Sequence, residues 1–172
     1  MRVETRARAR ALQALYAWDL RGQVDLERVA TQIWDDLSVP PEERRIAGRL
    51  VRTVKERGAV LDADIREVTT NWRLERLGVI ERCVLRLAAA ELQQGETPPR
   101  VILRESIRAL EQRLAPHDFL RVHRSALVNL ARVRELRRPA QGEWVVVLRG
   151  GVELPVSRRL RPAVTRYFAT RA

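Results

Sequence analysis

The stretch that decides the fold lies at residues 6–20 and reads Arg6-Ala7-Arg8-Ala9-Arg10-Ala11-Leu12-Gln13-Ala14-Leu15-Tyr16-Ala17-Trp18-Asp19-Leu20. Its apolar residues recur mostly at steps of three and four, which is the period of an amphipathic α-helix. Gly22 follows, and glycine commonly ends a helix. We therefore predict a helix over residues 6–20 with an arginine-rich start.

The same helical period continues through most of the first 114 residues. Asp25 is a suitable N-cap for a second helix to about Leu37, and Gly95 can close a long helix that begins near Leu77. The apolar spacing predicts helices at about 25–37, from the Pro40-Pro41 pair to about Gly58, around 61–68, at 77–92 and from Val101 to Leu114. The chain is therefore expected to be mainly α.

Strand-like segments replace the helical period after Pro116. Residues 144–149 and 152–156 flank Gly150-Gly151, a pattern that predicts a β-hairpin with a two-residue turn. Pro155 has no amide to donate, so its strand is expected at a sheet edge. Shorter strands are predicted at Phe119–Val122 and Val133–Leu136, and a terminal helix at Arg159–Phe168. The expected architecture is a helical bundle followed by a small α+β tail with a hairpin and a terminal helix.

Positive charge is concentrated in the second part of the chain. The 172 residues hold 33 Lys+Arg and 22 Asp+Glu, a formal net charge of +11, and Lys55 is the only lysine. Residues 1–98 carry a net charge of +1 and residues 99–172 a net charge of +10. Such an asymmetry favours a polyanionic partner, because each cation placed on a phosphate releases a condensed counterion. A solubilising arginine-rich surface is the alternative interpretation.

Several classes of protein are not expected. The sequence has neither an apolar run of about 18 residues nor a signal-peptide pattern, so no membrane association and a cytoplasmic location are predicted. The single Cys83 cannot form an intramolecular disulfide, and with only His117 and His123 a metal cluster is hard to assemble. No metal or other cofactor is expected.

Catalysis is not expected either. Ser125 lies two residues from His123, and Asp118 is near, but no nucleophile elbow or glycine-rich oxyanion loop surrounds them. The glycines are too scattered for a phosphate-binding or dinucleotide-binding loop. We therefore predict no catalytic residues and a protein that is not an enzyme.

The first part of the chain resembles the NusB family of transcription antitermination factors. One motif is the arginine-rich start running into Gln-Ala-Leu-Tyr-x-Trp at residues 13–18. A second is Asn71-Trp72-x-Leu74-x-Arg76-Leu77-x-x-Ile80-Glu81-Arg82-x-x-Leu85-Arg86-Leu87-Ala88-x-x-Glu91-Leu92, followed by Thr97-Pro98-Pro99-Arg100-Val101. The resemblance covers residues 5 to about 106. It implies an all-α fold of two helical subdomains that binds boxA-type RNA together with the ribosomal protein that doubles as NusE.

The resemblance also implies an RNA-binding site on the first helix. Arg6 and Arg8 align with RNA-contacting arginines of the family, and Gln13 and Tyr16 lie nearby on the same helix. Guanidinium groups suit phosphate oxygens and stack on unpaired bases, and a tyrosine ring can stack as well. In the alternative interpretation, Tyr16 and Trp18 belong to the core and the arginines are merely solvated. The closing helix of the family, with its Phe-Val-Asn-Gly pattern, is absent here.

The second part of the chain resembles the C-terminal half of a LytTR-type DNA-binding domain, over about residues 102–168. The resemblance rests on Phe119-Leu120-Arg121-Val122-His123-Arg124-Ser125-Ala126-Leu127-Val128-Asn129-Leu130 and on Leu154-Pro155-Val156-Ser157-Arg158-Arg159. It implies that Arg124 and Arg158 occupy base-contacting positions. Arginine bound to guanine is the commonest direct base contact. Further arginines are at most phosphate contacts, namely Arg121, Arg137, Arg138, Arg159 and Arg161.

Two other residues of this segment are predicted to stabilise turns. His123 is expected to be hydrogen-bonded within its turn, and Asn129 to support a turn as well. The first strands of the LytTR family are missing, and a hairpin without partner strands is marginal in water. This half is therefore expected to pack on the helices, to self-associate or to stay partly disordered.

These observations predict a NusB-like helical domain at residues 1–98 and a basic, truncated LytTR-like segment at residues 99–172. The leading function is RNA binding in transcription antitermination, with boxA-like RNA and a NusE-type ribosomal protein as partners. The alternative is a sequence-specific regulator of LytTR type that binds duplex DNA. A junction product whose tail has no evolved role is a third possibility.

Overall fold

Helix α1 (Val3–Arg21) is the central element of the first compact unit, which spans residues 1–102. A computed structural model describes residues 2–22, 25–69, 74, 77–112, 119–138 and 143–169. Within this part of the chain α1 is followed by α2 (Leu26–Asp36), α3 (Pro41–Val68), α4 (Val79–Gln94) and α5 (Pro99–Glu111). The predicted mainly α architecture is confirmed.

The core of this unit forms where α1 meets α2, α3 and α4. Helix α1 contributes mostly alanines, which have small side chains and allow the other helices to pack close to it. Trp34 on α2 packs into the same core and donates its indole N–H to the carbonyl oxygen of Arg10 at 3.2 Å. The buried cluster includes Ala7, Ala11, Ala14, Leu15, Leu26, Ala30, Leu50, Val51, Val54, Leu61, Leu87 and Ala90.

The predicted helix ends are partly confirmed. The Asp25 carboxylate accepts a hydrogen bond from the Arg28 amide at 2.9 Å, and Gly95 ends α4 in the left-handed conformation. The predicted break near Gly58 is wrong, because α3 runs without interruption to Val68. A glycine inside a helix costs only about 1 kcal/mol, whereas a continuous α3 buries Val54 and Leu61, on either side of Gly58, in the same core.

The second compact unit spans residues 103–172, and the part of it that the structure describes contains two small antiparallel sheets. Strands β1 (Phe119–His123) and β2 (Ala126–Asn129) form one sheet, and β3 (Val133–Arg137), β4 (Val145–Leu148) and β5 (Glu153–Pro155) form the other in that order. Helix α6 (Arg161–Ala169) ends the described chain. Pro155 lies on an outer strand of its sheet, as predicted. Strand β2 was not predicted.

The β4–β5 hairpin has a longer loop than the sequence suggested. Val147 pairs with Glu153, and the Leu148 amide donates to the Val152 carbonyl oxygen at 2.9 Å. The loop therefore consists of the three residues 149–151, and the predicted two-residue turn is wrong. Gly151 ends the loop with a φ of 82°, a conformation that a three-residue hairpin loop requires at this place.

This unit has an apolar core of its own. Residues from both sheets and from α6 share one buried cluster, which consists of Val122, Val128, Val146, Val156 and Val164. Phe168 of α6 and Trp144 pack against it. The three arrangements expected for this half did not include a separate core. It forms because apolar side chains of both sheets and of α6 pack into one cluster.

Candidate nucleic-acid interface

An exposed stripe runs along α1. Ala9, Gln13, Tyr16 and Leu20 follow one another at steps of four, three and four residues, so they lie on one face of the helix, and all four are exposed. Arg6 precedes Ala9 by three residues and continues the same face, with its side chain partly exposed. Three of the four predicted RNA-binding residues, Arg6, Gln13 and Tyr16, therefore share one face.

Tyr16 and Trp18 have different environments. Tyr16 is 37% exposed, whereas Trp18 packs against the helical core. The two residues are separated by about 200° around the helix, at about 100° per residue. The core interpretation therefore applies to Trp18 and not to Tyr16.

A buried carboxylate contacts Arg6 of this stripe and also Arg10, one turn further along α1. Glu43, in the first turn of α3, is only 3% exposed. Its Oε1 lies 2.6 Å from Nε of Arg6, and its Oε2 lies 3.4 Å from Nε of Arg10. The hydrogen bond from Arg6, more than any other interaction, lowers the pKa of the Glu43 carboxyl below its ordinary value. Arg10 in turn donates from Nη1 to the Gln13 side-chain oxygen at 3.1 Å.

Arg8 lies on another side of α1. Its Nε is 2.6 Å from Oε1 of Glu91 on α4, and its side chain is only 15% exposed. Glu91 is itself buried. The Arg8–Glu91 pair therefore joins α1 to α4, and the structure separates Arg8 from the exposed stripe that holds Arg6.

Charged residues of the two sequence motifs form a further ion-pair network. Asp19 on α1 is paired with Arg82 at 2.7 Å, and Arg86 on α4 lies 3.5 Å from Asp19. Arg86 also binds both carboxylate oxygens of Asp62 on α3, and this contact, more than any other, raises the Arg86 pKa above its ordinary value. Asp62 is therefore an ion-pair partner whose side chain is mostly withdrawn from solvent. The four-residue spacing of Arg82 and Arg86 on one helix was the signal available in the sequence.

Other residues of the second motif lie outside the described residues, namely Asn71, Trp72 and Arg76, as do His117 and Asp118. The ranges that the structure does describe contain no group of three His, Cys, Asp or Glu residues that could hold a metal ion. They also contain no helix that is long and apolar enough to cross a membrane.

The second unit presents two arginines on neighbouring segments. Arg124 is exposed in the turn between β1 and β2, and Arg158 follows β5 with its side chain 91% exposed. The Ser157 amide donates to the Val122 carbonyl oxygen at 2.9 Å, which brings the two segments together. The Arg158 Nε lies 3.5 Å from the Glu143 carboxylate, a loose surface contact.

The β1–β2 turn is held by its own side chains. His123 Nδ1 lies 2.7 Å from the Ser125 hydroxyl, so the predicted structural role of His123 is confirmed. Arg121 donates to the carbonyl oxygens of His123 and Arg124 and pairs with Glu111 at 2.6 Å. Arg121 therefore holds the turn, and its interpretation as a phosphate contact is not supported by its position.

Further along this unit, the Asn129 side chain accepts a hydrogen bond from the Ala131 amide at 2.9 Å, which confirms its predicted role. A pair of exposed arginines nearby was not predicted from the sequence. The Arg149 amide donates to the Arg132 carbonyl oxygen at 2.8 Å, so the two residues are neighbours on adjacent strand ends. Neither is ion-paired to a carboxylate that the structure describes. Their pairing across strands could not be read from the sequence.

Solved structures with the same helical arrangement define the class of protein. The chain is similar to NusB from T. maritima (TM-score 0.60, 30% identity, 65% of this chain and 79% of that chain). It is also similar to NusB from Aquifex aeolicus (TM-score 0.56, 27% identity, 65% and 76%). A third neighbour is a chain of a crystal structure of a plectonemic RNA supercoil (TM-score 0.59, 27% identity, 65% and 82%). The helical unit therefore has the fold of a NusB protein.

Sequence comparisons agree with the fold. The model of the NusB family matches residues 5–118. The transcription antitermination protein NusB of Anaeromyxobacter dehalogenans is 41% identical over 106 residues, which are 60% of this chain and 72% of that protein. The NusB protein of Staphylococcus carnosus is 32% identical over 125 residues, 72% of this chain and 95% of that protein. The chain belongs to the NusB family.

The second resemblance is also confirmed. The model of the LytTr DNA-binding domain matches residues 97–169, which overlap the end of the NusB match. The chain therefore combines a NusB family domain with a segment similar to a LytTr domain.

Proposed function

We propose that this chain is a transcription antitermination factor that binds single-stranded, boxA-like RNA through α1. The RNA-binding residues are Arg6, Arg8, Gln13 and Tyr16. The observation that carries the proposal is the exposed stripe that places Arg6, Gln13 and Tyr16 on one face of α1, within the part of the chain that belongs to the NusB family.

Each residue of this face has a chemical role in the proposal. Arg6 contacts the RNA backbone, because a guanidinium matches phosphate oxygens in a bidentate geometry. The Gln13 amide can both donate to and accept from an unpaired base, and the Tyr16 ring can stack on one. Arg8 makes a smaller contribution, because its side chain is only 15% exposed and lies away from the exposed stripe.

The proposal includes a protein partner and a location. A NusE-type ribosomal protein binds together with the RNA and tightens the complex, and the assembly acts in the cytoplasm, where transcription takes place. The chain acts by binding, without a catalytic step or a cofactor. Residues 1–98 supply the RNA-binding domain, and residues 99–172 form a separate basic segment.

Filter binding of the whole chain to boxA-like RNA tests the proposal. The double variant Arg6→Ala/Arg8→Ala is expected to bind about tenfold more weakly or worse at about 0.1 M salt. Because the change also removes partners of the buried Glu43 and Glu91, the affinity is calculated for the folded fraction measured by circular dichroism. A matched control is Arg45→Ala/Arg57→Ala, which removes two exposed arginines of α3 that pair with no described carboxylate. Equal affinities for the two double variants contradict the proposal.

A second candidate function is duplex DNA binding by residues 99–172. The Ser157–Val122 hydrogen bond supports it, because it joins the segment that leads to Arg124 to the segment that leads to Arg158, and both arginines are exposed. Arg124 and Arg158 are the proposed base contacts. The absence of duplex binding by the whole chain at low salt would contradict this candidate and leave the RNA proposal unaffected.

A further inference from the structure

Glu43 is one of two buried carboxylates, with Glu91, in the described part of the helical unit. It is 3% exposed and its two oxygens are shared between Arg6 and Arg10, which lie one turn apart on α1. Withdrawing a carboxylate from water costs several kcal/mol unless its partners compensate, and an apolar pair often stabilises a helix contact equally well. The position of Glu43 in the first turn of α3 also lets the helix dipole favour its charge.

The geometry of this triad bears on the exposed stripe. Both arginines meet Glu43 through Nε, the nitrogen nearest the aliphatic stem, while both side chains remain partly exposed. Arg10 continues through Nη1 to the Gln13 side chain at 3.1 Å. The buried Glu43 carboxylate therefore contacts Arg6 and Arg10 directly, and Arg10 links it to Gln13.

We infer that Glu43 is a positioning residue of the RNA-binding face, which fixes Arg6 and Arg10 so that both contact phosphates of the RNA. This inference rests on the proposed function and extends it by adding Arg10 to the contacts. A long arginine side chain loses rotamer freedom when it binds a ligand, and this loss of entropy weakens binding. An arginine that is already held in place has lost that freedom before the RNA arrives.

The sign of the expected effect separates positioning from simple charge. Glu43 carries a negative charge close to the proposed RNA face, so charge alone predicts that its removal tightens RNA binding. If Glu43 instead positions Arg6 and Arg10, its removal should weaken RNA binding. A role limited to stability predicts a smaller folded fraction but no change in the number of phosphates that each folded molecule neutralises.

The test compares the whole chain with Glu43→Gln, which keeps the shape and removes the charge. Binding to boxA-like single-stranded RNA is measured by filter assay over a range of salt concentrations. We expect affinity to fall by roughly 5- to 30-fold, and the salt slope of log affinity to become shallower by about 0.7 for each phosphate that the variant no longer neutralises. Unchanged or tighter binding, or a reduced amplitude with the same slope, overturns the inference.

Asp62→Asn is the matched control. It removes the charge of another partly buried carboxylate of α3 whose guanidinium partner, Arg86, is not part of the proposed RNA face. This variant is expected to bind RNA with wild-type affinity and salt slope. A loss equal to that of Glu43→Gln would reduce Glu43 to a general stabilising ion pair and overturn the inference.

A measurement on the wild-type protein covers the case in which Glu43→Gln does not fold. The Nε–H signals of Arg6 and Arg10 are followed by nitrogen-15 NMR during titration with the RNA. Both are expected to stay hydrogen-bonded and protected from exchange, because Glu43 and the RNA contact different edges of each guanidinium. Loss of that protection on RNA addition means that phosphate competes with Glu43, and this contradicts the positioning role of Glu43.

Failure of this inference can be distinguished from failure of the proposed function. If the wild-type protein binds no RNA, the proposed function fails as well. If the wild type binds RNA and only the Glu43 results differ from those expected, the proposed function stands.

Discussion

Arg86 on α4 binds Asp62 on α3 through two parallel hydrogen bonds, from Nε to Oδ1 at 2.8 Å and from Nη2 to Oδ2 at 2.9 Å. Bidentate pairs of this kind are stronger than single contacts, and both side chains are mostly withdrawn from solvent. Arg86 also lies 3.5 Å from Asp19 on α1, so three helices meet at one guanidinium.

Replacing Asp62 by alanine is expected to destabilise the helical unit by about 1.5–3 kcal/mol, because the guanidinium loses its charge-assisted partner. Asp36→Ala, an exposed acid of α2, is the control and should change the free energy of unfolding by less than about 0.5 kcal/mol. Urea unfolding followed by circular dichroism measures both. Equal stabilities of the two variants would show that the network contributes nothing measurable.

How far the sequence predicts this structure depends on whether the deciding interactions are local. Periodicity and capping located α1, α2 and α4, because the residues that start and stop those helices are neighbours in sequence. The continuity of α3 through Gly58 was missed, since it depends on packing against residues of α1 and α4 that are distant in sequence. Strand β2 was missed for a similar reason: its partner, β1, and its buried Val128 become evident only in the folded unit.

The same distinction applies to the candidate site. The family motifs located Arg6, Gln13 and Tyr16 on α1, and helical spacing places them on one face. Nothing in the sequence pattern singled out Glu43 or Arg10, because the Arg6–Glu43 pair joins residues 37 positions apart. Side-chain partners of that kind follow from the packing of α1 on α3, which no local pattern encodes.

Gly151 provides a test of the hairpin loop. Its φ of 82° is unfavourable for residues with a Cβ, so Gly151→Ala is expected to destabilise the second unit by about 1–2 kcal/mol. Gly150→Ala is the matched control, because Gly150 does not have a positive φ and no heavy atom lies within 4 Å of the added Cβ. Thermal unfolding of the whole chain, followed by Trp144 fluorescence in single-tryptophan variants, compares the two. If the two variants unfold at the same temperature, Gly151 does not have the positive φ that this three-residue loop requires.

The Glu43 ion pairs predict a pH dependence of stability. Pairing with Arg6 lowers the pKa of Glu43 in the folded state below its ordinary value of 4.5. The stabilisation is therefore complete above pH 4.5 and is lost as the pH falls through the folded-state pKa. The difference in unfolding free energy between wild type and Glu43→Gln should be constant from pH 6 to about pH 5 and should shrink below pH 4.5. A difference that does not vary with pH would contradict the ion-pair assignment.

Arginines of the second unit predict the character of DNA binding. Most of the affinity for duplex DNA should be electrostatic. In a plot of log affinity against log salt concentration, the slope should be roughly −0.9 multiplied by the number of phosphates that the protein neutralises. If Arg124 and Arg158 contact bases, each change to alanine should cost about 1–3 kcal/mol on a preferred site and much less on random duplex. Arg132→Ala, at an exposed arginine of the same unit, should weaken both duplexes alike. Equal losses on both duplexes for Arg124→Ala and Arg158→Ala would reduce them to phosphate contacts.

The central claim is that α1 is the RNA-binding face, and NMR mapping with the whole chain tests it most directly. Backbone and side-chain signals are followed while boxA-like single-stranded RNA is added. We predict that the largest shifts occur at Arg6, Gln13 and Tyr16, and that Val60, exposed on α3, is unaffected. Shifts confined to residues 103–172, or no shifts on α1 at saturating RNA, would contradict the claim.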